Sequence, residues 1–183
     1  MACELDWAAA KHDPEIHLRI RPLREQWEAR GPGMHAFLSR RISWLELPER
    51  LLVDLAKPGA GSRADGVSAS SIHFELFLVN PWPQLPEVAR LAWLCARSAV
   101  FESHHDARVA AALIPPVIEA AEYVELATLD ASTITVALEH WFHKSPGLTG
   151  EQLLAWWREM DPRAFQVKAA WLHAARKLDP LTP

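Results

Sequence analysis

PEVARLAWLCARSAVFESHHDARVAAALIPPVIEAAEYVELATLDASTITVALEHWFH, residues 86–143, reads as three consecutive helices and sets a mostly helical fold. Pro86 suits a first helical turn, where its missing N–H would have no partner. Leu91, Cys95 and Ser98 then recur at spacings of four and three, with Ala92 and Leu94 beside them, making a broad core-facing stripe. In the second helix Pro115 and Pro116 each remove a hydrogen bond and clash with the preceding turn, which predicts a bend near Ile114. Asp130 is a natural N-cap for the third, which places Ile134, Leu138 and Trp141 on one side and ends at about His143, before Ser145-Pro146-Gly147.

Upstream, Asn80 to Pro86 (NPWPQLP) makes a stiff extended connector. Before it lies SIHFELFLVN, in which Ile72, Phe74, Leu76 and Leu78 alternate onto one face of a strand and His73, Glu75, Phe77 and Val79 onto the other. RLLVDLAKP reads as a second strand, and residues 58–70, rich in Gly, Ser and Ala, as a flexible loop between the two. The simplest pairing is an antiparallel ribbon of about residues 50–57 and 71–79, packed on helices because two strands alone are marginal. Its open edges would invite strand addition. The first third reads as helical: a short helix over 4–11, a longer one opened by Asp13-Pro14 and interrupted at Pro22, a break at Gly31-Pro32-Gly33, and a further helix from Met34 to about Trp44. Downstream, Thr149 to Gln152 has the form of a capping box. Asp161-Pro162 opens a last helix with basic residues crowded at its end, and residues 179–183 read as a loose tail. The expectation is an α+β fold, mostly α, in one globular domain over residues 1–183.

Half of the residues are apolar and the formal charge is −4, so composition points away from nucleic acid. The Arg19, Arg21 and Arg24 cluster is interrupted by acidic residues and reads as a solvated helix face. No run approaches the length of apolar sequence a spanning helix needs, and the N-terminus shows no export pattern. Cys3 and Cys95 form no metal or redox motif, which fits a reducing cytoplasm.

The polar residues gather at two helix ends. Glu102 and His105 lie three apart, Glu139 and His143 four apart, and two carboxylate–imidazole pairs on neighbouring helices would suit a divalent transition metal. A di-metal bundle site needs a Glu-x-x-His on each of two helices, and only Glu102-Ser103-His104-His105 has that spacing. The competing structural reading is that these are solvated helix ends, where His is favoured by the helix dipole. His73, the His105-Asp106 pair and Asp130 fall in an order that resembles the HD-domain phosphohydrolases, whose equivalent residues hold a metal that activates water on a phosphate ester. A strand, a loop, a helix and then PPVIEAAEYVEL also resembles the order of elements in gluzincin-type metallopeptidases. There the place of HExxH is filled by Arg90-Leu91-Ala92-Trp93-Leu94, so that resemblance implies a zincin-like scaffold without the catalytic zinc motif.

No G-x-S-x-G, P-loop, dinucleotide fingerprint or H-E-x-x-H is present. Nine tryptophans are more than the core pattern absorbs, and Trp is a common anchor of interfaces. The sequence therefore reads as a non-catalytic cytoplasmic protein without a cofactor that works through a protein partner or homo-oligomer, with no nucleic acid or membrane role. The alternative is a metal-dependent hydrolase or oxidase built on Glu102, His105, Glu139 and His143.

Overall fold

A computed structural model describes residues 4–8, 14–56, 66–76, 80, 82–100, 106–142 and 145–179. Four strands, β1 (Glu4–Ala8), β2 (Arg50–Ala56), β3 (Gly66–Val67) and β4 (Ser71–Glu75), form one sheet in the order β1-β2-β4-β3. Among the described residues seven α-helices carry the rest: α1 (Pro14–Arg41), α2 (Glu87–Ala99), α3 (Ala107–Ala112), α4 (Ile114–Tyr123), α5 (Ala131–His140), α6 (Gly150–Glu159) and α7 (Lys168–Arg176). A short 3₁₀ turn over Pro162–Phe165 sits between the last two.

The antiparallel ribbon expected from residues 50–57 and 71–79 does not form. Both strands exist, but β2 and β4 run parallel, with Val53 opposite Ile72 and Leu55 opposite Phe74. The reason lies at the other edge. Residues 4–8 are a strand and not the start of a helix, and β1 pairs parallel with β2, with α1 as the long connection that parallel neighbours require. Leu5 points inward while Glu4 and Asp6 are exposed, a period-two signal only a few residues long. The one antiparallel pairing among the described residues is between β4 and the two-residue β3, joined by a turn in which the Ser68 hydroxyl accepts the Ser70 and Ser71 N–H groups. Residues 58–65 of the expected loop, and 77–79 of the expected strand, lie outside the described residues.

α1 is a single helix, although Pro22 and Gly31-Pro32-Gly33 predict two breaks. Its buried residues Ile16, Leu23, Trp27, Met34 and Leu38, with Ile42 just past its end, continue one stripe straight through both sites. The carbonyls that lose a partner to Pro22 and Pro32 belong to the exposed Leu18 and Glu28, where water can replace the bond. The two glycines are there for packing. A Cβ on Gly31 would meet the Trp27 ring at 2.7 Å, and one on Gly33 would meet Cγ1 of Val124 at 2.8 Å, at the crossing of α1 and α4.

Local signals elsewhere hold. The second central helix breaks at Leu113, where α4 restarts with Pro115 and Pro116 in its first turn. Asp130 caps α5 by accepting from Thr133 N at 2.7 Å, and Thr149 and Gln152 form the capping box of α6. Asp161 caps the 3₁₀ turn, not a long final helix. α2 is the centre of the molecule: Val88 to Ala96 are all buried, with β4, α1 and α4 among its neighbours. The one charge within that buried run, Arg90, is 4 % exposed and donates to the Glu75 carbonyl while lying 4.2 Å over the Phe74 ring, which ties the helix to the sheet.

Candidate functional site

Of the four residues selected as metal ligands, Glu102, His105 and His143 lie outside the described residues. Glu139 is on the solvent side of α5 with its side chain 62 % exposed, 3.8 Å from Nε2 of His140. The His140 ring in turn stacks on Trp82, with centroids 3.8 Å apart. Among the described residues no group of three His, Cys, Asp or Glu could hold a metal.

The residues behind the two resemblances are each occupied locally. Nδ1 of His73 lies 3.1 Å from the Asp54 carboxylate, Asp106 caps α3 and lies 3.5 Å from Arg108 and from Arg176, and Asp130 caps α5. Arg90 and Trp93 are buried in the core at the place of a zinc-binding motif. Glu119 accepts from Trp157 Nε1 at 3.1 Å and lies 3.5 Å from Arg41 Nε, and Glu122 accepts from Leu129 N.

What the fold does assemble is a surface. Leu5, Leu51, Val53, Leu55, Ile72 and Phe74 face the helices and are buried. The opposite face carries Glu4 and Asp6 from β1, Arg50, Leu52 and Asp54 from β2, and Ser71, His73 and Glu75 from β4. Strands bound in parallel are ordinarily covered on both faces. Here the β1 and β2 residues of the second face are exposed, while those of β4 are half-buried. An ion pair and a hydrogen bond cross it: Arg50 Nη2 to Asp6 at 2.9 Å, and His73 Nδ1 to Asp54 between directly opposed positions. The carboxylate can only accept, so the Nδ1 proton points at Asp54. That leaves Nε2 of His73 as a buried atom without a hydrogen-bond partner among the described residues. Between the pairs stands Leu52, 43 % exposed on the central strand and level with Asp6 and Ser71.

No known protein family, curated protein or solved structure matches the chain.

The function has therefore to be argued from this geometry. The sheet's order leaves the outer edge of β1 without a neighbouring strand among the described residues. Among those residues no helix is long and apolar enough to cross a membrane. Sequence reasoning missed the Asp54–His73 pair because only the parallel register brings the two together. Leu52 did carry a signal: in RLLVDLA it breaks the alternation by adding an apolar residue to the outward set.

Proposed function

We propose that this chain works through protein–protein contact, and that the contact surface is the open face of the sheet together with the outer edge of β1. The observation that carries the reading is Leu52, a large apolar side chain left 43 % exposed at the middle of a parallel sheet face. Exposed strand edges template the pairing of another chain, and the most common soluble assembly is a two-fold pair of identical subunits. The first partner we assign is a second copy. The burial of Cys95 in the core, where the thiol serves as a small apolar side chain, supports a cytoplasmic setting.

The test is sedimentation equilibrium across a wide concentration range, with amide exchange followed in parallel. Mass should rise with concentration, and the amides of β1 and β2 should become protected as it does. Fully burying a leucine is worth about 1.5–3 kcal/mol, so covering the exposed fraction of Leu52 in two copies makes Leu52→Asp weaken association on the order of tenfold. A species that stays monomeric at every concentration, with exchange at β1 unchanged, would remove self-association as the function.

A further inference from the structure

β2 lies between two parallel neighbours, and its outward residues are Arg50, Leu52 and Asp54. The strand therefore presents a cation, an apolar side chain and a carboxylate at intervals of two residues. All three are open to solvent: the side chains of Arg50 and Asp54 are 65 % and 61 % exposed, beside Leu52 at 43 %. Two residues of strand span about 6.6 Å, so the two charges stand at equal distances on either side of Leu52. Each has one partner within its own chain, Asp6 for Arg50 at 2.9 Å and His73 Nδ1 for Asp54 at 3.1 Å. A guanidinium carries five N–H donors and a carboxylate about four acceptor sites, so both keep capacity for another.

We infer that, with the open face of the sheet as the contact surface proposed above, a second copy docks about a two-fold axis that crosses β2 at Leu52. The axis lies between the two sheets and runs across the strands. It reverses the direction of β2 and sets Leu52 on Leu52, while Arg50 of each copy comes opposite Asp54 of the other. The triplet is its own electrostatic complement under this rotation, as a contact between identical patches requires. An axis along the strands would instead set Arg50 against Arg50 and Asp54 against Asp54, so charge selects the first arrangement. Asp6 and Ser71 are level with Leu52 and meet their own counterparts. The Asp6 pair is the like-charge contact, and each carboxylate is offset by its own Arg50. Glu4, level with Arg50, comes opposite the uncharged position of Ala8, level with Asp54. The second sheet gives the parallel strands the cover they ordinarily have on both faces.

Charge reversal tests the axis. Arg50→Glu leaves two carboxylates flanking Leu52, and Asp54→Lys leaves two cations. In sedimentation equilibrium each variant alone should associate on the order of tenfold more weakly than the unaltered chain. An equimolar mixture of the two should recover association, because every opposed pair is then attractive, and the double variant Arg50→Glu/Asp54→Lys should recover it as well. Arg50→Glu also removes the bond to Asp6, so a second measurement leaves both charges in place: Leu52→Cys in a Cys3→Ser background should be joined copy to copy by a short bismaleimide. An unaltered chain that stays monomeric would overturn the contact reading itself. If the chain associates but the reversals leave its mass unchanged, or Leu52→Cys does not cross-link, the contact stands and this axis falls; pairing through the edge of β1 alone would give that result.

Discussion

Gly33→Ala is a substitution on which two lines of reasoning give opposite signs. Alanine is the better helix former by roughly 0.5–1 kcal/mol, and Gly33 sits inside α1, so propensity alone predicts a more stable protein. Packing predicts the reverse. The new Cβ would stand 2.8 Å from Cγ1 of Val124, against the 3.5–4.0 Å or so at which two carbons pack comfortably. Val124 is β-branched and cannot swing aside at low cost, so α1 or the end of α4 must move. Overpacking of this kind costs about 1–3 kcal/mol, and with the propensity gain taken off the net loss is about 1 kcal/mol, and at most about 2.5 kcal/mol. Urea denaturation followed by circular dichroism should show a lowered midpoint, and Val124→Ala made in the same chain should recover most of the loss. The double-mutant cycle should give a coupling of about 1 kcal/mol between the two positions. A Gly33→Ala protein at least as stable as the parent, or a cycle with no coupling, would refute the claim that glycine is there for close approach.

Glu125 follows α4 with φ at 60°, in the left-handed region where a side chain is strained and glycine is at ease. Its N–H bonds the Glu122 carbonyl and that of Leu126 bonds the Ala121 carbonyl, so the helix end depends on this conformation. Glu125→Gly should raise stability by about 0.5–1 kcal/mol in a thermal melt, and a loss would show that the carboxylate does more than tolerate its place. Burial holds the His35 imidazole below its usual pKa. The unfolded chain therefore binds this proton more readily than the folded one, so the stability His35 contributes is present above about pH 6.5 and is lost as pH falls through its folded-state value. His35→Gln should flatten that part of the stability profile, and a profile unmoved by the replacement would place the acid sensitivity elsewhere.

Legibility of the sequence divides along the range of the interaction involved. Asp130 and the Thr149–Gln152 box were readable because a cap is made within three or four residues. Pro115 and Pro116 announced the break at Leu113 for the same reason. The direction of β2 against β4 was not readable, since no short stretch says which strands become neighbours, and β1 offered only Leu5 and Trp7 as its inward set. Gly31 and Gly33 misled because a glycine that breaks a helix and one that admits a neighbour look alike until Trp27 and Val124 are seen against them. At the surface, Leu52 was visible as an apolar residue out of phase, while the Asp54–His73 pair exists only once two separate strands have met in parallel register.

The pairing of β1 with β2 sets an order of events during folding. Glu4 is opposite Arg50 and Leu5 is opposite Leu51, so the whole of α1 must be made and turned back before the first strand has a partner. Contacts closed over such a separation are slow to form, whereas the turns of α2 to α6 involve short separations and can form early. β1 is thus made well before its partner strand and is among the last segments to be secured, and in the folded protein it should be the first part of the sheet to open.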